Sequence, residues 1–198
     1  MQCQVISNKP LKISIGSGKM QGIRSINTNP FTNDFCNNSS KMDTVCQKCY
    51  SRRFLSFRVN NQKCFQVNNE LLIKKNISIP KLNDNIFRFN SHGELINSQH
   101  LINLMAVVNS FPKTVFSLWT KRIDIVKRYL KNNVKPDNLI LIRSSLKLNK
   151  PDRLPPQFDK VFTVYSDKAD INCPKNCMDC LKCYNQFDST IFINEKLK

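Results

Sequence analysis

Along this chain, apolar residues repeat with two different periods, and the alternation between them sets the elements. A period near two marks candidate strands at residues 11–15, 85–90, 114–119, 138–143 and 160–165. A helical period separates several of them. Leu101, Leu104, Met105 and Val108 fall on one face behind a cap at Asn97 or Ser98. Ile123, Val126 and Leu130 repeat the pattern in a helix expected over 121–131. Shorter helices are expected at 51–57 and 66–75, and residues 37–43 read as a polar loop. Residues 1–35 read as irregular apart from the short alternating stretch.

Strands alternating with helices at this spacing predict an α/β fold with a parallel sheet and right-handed crossovers. In such sheets ligands bind beyond the carboxyl ends of the strands. The loops at 91–94, 120–121, 143–145 and 166–167 all leave from that end. The expected organisation is an α/β unit over 1–170 with a cysteine-rich segment at 171–198, both in one compact body. Gly16-Ser-Gly-Lys19 resembles a phosphate loop only superficially. Ile13 stands where the motif's first glycine belongs and Met20 where its Ser or Thr belongs. A glycine turn is the better account.

Composition narrows the class. With 198 residues, 40% hydrophobic and 23% charged, the chain suits one folded domain. The longest aliphatic run, Leu139-Ile-Leu-Ile142, is far below a membrane span, and residues 1–9 lack the apolar core of a signal peptide. A cytoplasmic protein with no membrane partner is therefore expected, in which clustered thiols bind metal more readily than they form disulfides. The formal charge is +17. Residues 121–153 carry ten Lys and Arg against three acids, and 41–63 carry six against one. Such a field attracts nucleic acid or another polyanion, or it is a solvated basic surface.

The cysteines carry the chemistry. Cys36, Cys46 and Cys49 form one group, and Cys173, Cys177, Cys180 and Cys183 another, leaving Cys3 and Cys64 alone. Zinc sites usually set two Cys-x-x-Cys hairpins apart by a spacer, because four ligands must meet one ion tetrahedrally. The C-terminal run has no such spacer. Its repeated two-residue gaps resemble runs that wrap an iron–sulfur cubane, with zinc as the alternative metal. Three thiolates upstream would leave one iron of a [4Fe–4S] cluster open to a small molecule, unless a fourth ligand closes the site.

The order of elements resembles that of the phage gene product 88-like family, and beyond it the radical S-adenosylmethionine (SAM) enzymes. The matching stretches are Cys46-Gln-Lys-Cys-Tyr50, Phe87-Arg-Phe-Asn-Ser-His-Gly-Glu94, Phe111-Pro-Lys-Thr-Val-Phe-Ser-Leu-Trp-Thr-Lys121, the strand ending at Ser144 and the terminal cysteine run. This resemblance implies a partial (β/α) barrel and a phage protein working in the host cytoplasm. It implies a [4Fe–4S] cluster on Cys36, Cys46 and Cys49 that chelates SAM, and an auxiliary cluster at Cys173, Cys177, Cys180 and Cys183. His92, Gly93 and Glu94 would form the loop that accepts the methionine ammonium. Arg143, Ser144 and Ser145 would contact the ribose or carboxylate. A reductant would be the redox partner, and the outcome a radical hydrogen abstraction from an unnamed substrate. The departures are a first gap of nine residues rather than three, Lys48 in place of an aromatic residue, and His92 in place of a glycine.

Two function classes follow: a redox enzyme of radical SAM type, and a basic, metal-stabilised nucleic-acid-binding protein without catalysis. The only histidines are His92, expected to bond its loop or touch a ligand, and His100, expected on a helix surface. Phe116 and Trp119 are expected in the core.

Overall fold

The computed structural model describes residues 10–167, 171–173 and 176–197, so Cys3 lies outside the described residues. Seven strands form one sheet in the order β1 to β7: Ile13–Ile15, Arg24–Ile26, Ile86–Phe89, Val115–Thr120, Leu139–Ser144, Lys160–Tyr165 and Phe192–Lys196. Strand β1 is antiparallel to β2, and every later pairing is parallel. The sheet is open, with β1 and β7 at its edges.

The helices are α1 (Asp34–Lys41), α2 (Tyr50–Ser56), α3 (Val59–Leu72), α4 (Ser98–Ser110), α5 (Ile123–Leu130) and the single turn α6 (Cys177–Cys180). Strand alternation splits the interior into two cores. Phe87, Phe89, Phe116, Leu118, Leu139 and Leu141 face the helices, meeting Leu72 of α3, Leu101, Leu104 and Val108 of α4, and Val126 of α5. Their strand neighbours Trp119, Ile140, Ile142 and Phe162 face the other way and meet Cys183, Tyr184 and Ile193. Among the described residues the helix-side cluster holds eighteen buried residues and the other eight. At roughly 2 kcal/mol for each fully buried large apolar side chain, most of the stability comes from the helix side. The opposite face is left to the cysteine segment and the site.

Several expectations are corrected. The polar loop at 37–43 is mostly helix α1. Its Asn and Ser residues are weak helix formers, but the Asn33 side chain caps the turn by accepting from the Cys36 N–H at 3.3 Å. The helix expected at 66–75 begins at Val59 and ends at Leu72. Residues 24–26, read as irregular, form β2, and β7 was not foreseen at all. Both are brought into order by parallel pairing with β3 and β6 rather than by their own pattern. His100 is fully buried, not on a helix surface. The strands expected at 85–90, 114–119, 138–143 and 160–165 form within a residue or two, and Asn97 caps α4 through the His100 N–H at 2.9 Å. Among the described residues no helix is long and apolar enough to cross a membrane.

Candidate metal and ligand site

At the carboxyl ends of the parallel strands a cavity of about 460 Å³ opens. Cys36, Cys46 and Cys49 line it from one side, and Cys173, Cys177 and Cys183 from the other. Local structure explains each placement. Cys36 rides the first turn of α1. Cys46 sits in a 3-10 turn at Val45–Lys48, whose cap Thr44 accepts from the Cys46 N–H at 3.1 Å. Cys49 is the residue from which α2 starts. On the far side, the Cys173 N–H donates to the Asn194 carbonyl on β7 at 3.1 Å, and the Lys19 ammonium donates to the Cys173 carbonyl. Lys19 also pairs with Glu195 at 2.9 Å, so the glycine turn at 16–20 buttresses the cysteine segment and holds no phosphate-loop geometry. Cys180 is half-buried outside the lining, and Cys64 is exposed on α3.

Burial holds Cys36, Cys46, Cys177 and Cys183 towards their neutral form. Burial raises Cys36 most, and Glu94, Cys46 and Cys49 push the same way against Lys121. Burial also raises Cys46, and it pushes Cys183 up to about 12 against the nearby Arg88 cation. A metal cation reverses this balance by favouring thiolate outright. Among the described residues no three His, Cys, Asp or Glu side chains converge closely enough to hold a single metal ion.

The loop after β3 forms the cavity's third wall. His92, Gly93 and Glu94 all line it. Gly93 has φ +80°, and a Cβ there would lie 2.1 Å from Thr28 Oγ1 and 2.4 Å from the Thr28 carbonyl oxygen. No side chain fits. Thr28 clamps the loop in turn: its N–H donates to the His92 carbonyl at 3.1 Å, and its hydroxyl accepts from the Glu94 N–H at 3.0 Å. Glu94 is buried, and its carboxylate accepts from the Thr120 hydroxyl at 2.5 Å, the Leu95 N–H at 2.7 Å and the Lys121 N–H at 2.7 Å. Burial nevertheless raises its pKa, with Lys121 and these bonds opposing. His92 bonds Ser51 Oγ through Nδ1 at 2.8 Å and stacks on Phe54 with centroids 4.8 Å apart. Burial, with Arg88 and Arg58 nearby, lowers its pKa to about 4, so the ring is neutral.

The three residues expected at the end of β5 divide. Ser144 lines the cavity and accepts from Lys121 Nζ at 2.7 Å. Arg143 pairs with Asp152 at 2.7 Å and donates to the Lys121 carbonyl, while Ser145 bonds Thr163 at 2.9 Å. These two brace the strand ends and lie outside the lining.

Sequence reasoning missed Arg88. It projects from β3 on the face away from the helices, between the core residues Phe87 and Phe89, and lies 4.0 Å over the Trp119 ring. A charge inside an otherwise apolar strand was the available signal. Trp119, expected in the core, is buried there and also lines the cavity.

The sequence model of the gene product 88 family matches residues 9–191, nearly the whole chain. The chain belongs to the gene product 88 family. Both cysteine groups and the loop after β3 lie inside the matched range. Comparisons with curated proteins and with solved structures find no match.

Proposed function

We propose that this member of the gene product 88 family is an iron–sulfur protein of radical SAM type, with two cysteine groups serving one cavity. The observation that carries the reading is the meeting of Cys36, Cys46 and Cys49 with Cys173, Cys177 and Cys183 on one cavity wall system, across more than a hundred residues of sequence. A soft, all-thiol donor set suits iron–sulfur clusters, and thiols spread around a cavity suit a multi-iron core better than one tetrahedral ion. Cys36, Cys46 and Cys49 would hold a [4Fe–4S] cluster with one iron open. The C-terminal run, including Cys180, would hold the auxiliary cluster. A cluster held by Cys36, Cys46 and Cys49 would supply one-electron reducing chemistry to a ligand in the cavity.

The chain's own residues supply position. Glu94 keeps acceptor capacity beyond its three bonds and faces the cavity, which suits a ligand ammonium such as that of the SAM methionine. Gly93 lets the loop close against Thr28 so that Glu94 reaches inward. Tyr50, Phe54, Phe65 and Phe162 give the cavity an aromatic wall against which an apolar part of a ligand can rest.

Anaerobic purification followed by iron, sulfide and zinc analysis tests the metal. Iron and sulfide with broad visible absorption are expected, and Cys46→Ala and Cys180→Ala should each lower iron by about half, one cluster apiece. Zinc without sulfide would sink the reading. SAM should change the spin-resonance spectrum of the reduced protein and yield 5′-deoxyadenosine. An unchanged spectrum with no product would leave a cluster protein without SAM chemistry.

A further inference from the structure

The cavity contains a buried cation, Arg88, that among the described residues has no carboxylate partner. Arg88 is only 8% exposed, its Nε is buried without a hydrogen-bond partner, and its NH1 reaches only the Met20 sulfur, a weak acceptor, at 3.3 Å. Among the described residues no carboxylate forms an ion pair with it. The cavity's own carboxylates are engaged elsewhere: Glu94 with Thr120, Leu95 and Lys121, and Glu195 with Lys19. Lys121 is likewise bonded to Ser144. A guanidinium keeps its charge under these conditions, so burial cannot neutralise it. Replacing a buried ionic group by a well-packed apolar one is often neutral or stabilising, so the fold does not require this charge.

Its position identifies the ligand's chemistry. Arg88 lines the cavity within electrostatic reach of Tyr184, Tyr50, Cys183 and Cys177, so it stands beside the C-terminal cysteine group. One face of its plane is covered by Trp119, leaving the N–H edge for a planar or tetrahedral oxyanion. Phe54, Phe65 and Phe162 line the space beyond with apolar surface. We propose that Arg88 is the anion-binding residue of this cavity, receiving the carboxylate or phosphate of a small molecule whose apolar body rests on that aromatic wall.

The probes are benzoate, phenyl phosphate and the neutral isostere benzamide, added to the anaerobically purified full-length protein whose iron and sulfide have been measured. Benzoate or phenyl phosphate should raise the melting temperature in proportion to the logarithm of its concentration, and benzamide should not. The stronger of the two names the oxyanion. R88M should weaken that binding more than about tenfold, as loss of a charge-assisted pair requires, while melting no lower than the wild type without ligand. R88K, keeping a point charge but not the fork, should fall between them, and it serves as the test if R88M does not fold. No response of the wild type to either anion, an equal response to benzamide, or unchanged anion binding in the variants overturns the proposal. Iron content is read separately, so failure here and failure of the cluster reading are distinguishable.

Discussion

His100 shows what a single buried imidazole costs. Its Nδ1 accepts from the Ile96 N–H at 3.2 Å, its Nε2 is buried without a partner, and burial lowers its pKa to about 3. The unfolded chain titrates near 6.5. Above that pH both states are neutral and His100 carries no pH-dependent penalty. Below it the unfolded state takes up a proton that the folded state refuses, so stability falls as pH drops from 6.5 towards 3. Between pH 7 and pH 5 this one residue should remove roughly 2 kcal/mol. Urea unfolding of the wild type and of His100→Gln at both pH values measures it. The gap between the two proteins should shrink by that amount at pH 5, and a gap independent of pH would contradict the burial. The periodicity of α4 did not reveal His100 because it marks only one stripe. Here Asn103 of the same helix donates to the Leu72 carbonyl on α3, and a second face is covered as well.

At the scale of elements, the site depends on weak pieces held by strong ones. Helix α1 has poor propensity, and Asn33 serves it twice. Its Oδ1 accepts from the Cys36 N–H, and its Nδ2 donates to the Glu94 carbonyl at 2.9 Å. One side chain thereby ties the first cysteine to the loop after β3. Asn33→Ala should cost about 2 kcal/mol, a cap and a buried hydrogen bond together, and should lower iron retention more than the stability loss alone accounts for. Chemical denaturation and iron analysis after dialysis separate the two effects. Loss of stability with full iron would mean that the cap does not position Cys36. The long elements β4, β5, β6 and α4 were legible because each carries enough residues for its period to show. Three-residue β2 was not, because so few positions define no period and its place comes from pairing with β3.

For the molecule as a whole, the cysteine segment belongs to the sheet rather than lying upon it. After α6 the chain returns as β7, which pairs with β6 along its whole length. Asn194 on that strand accepts from the N–H groups of Asn172 and Cys173 at 3.2 and 3.1 Å. Truncation after Ile191 should therefore expose the edge of β6, release Cys173 and uncover Ile193's place in the second core. Lower solubility is expected, with loss of amide-exchange protection in β6 and little change in α4. Retained protection in β6 would show that β7 is dispensable.

The sequence by itself determined the class and the grouping of its thiols: an α/β chain, a parallel sheet with its loops at one end, and two tight groups of cysteines. These rest on local periods and short spacings, which neighbouring residues enforce on one another. Only the tertiary structure decided that both groups share one cavity, that Gly93 must lack a side chain, that Arg143 and Ser145 brace strands, and that Arg88 is buried over Trp119 with its Nε unbonded. The physical reason is that burial and long-range pairing depend on the faces presented when distant strands align, and no local spacing encodes those faces.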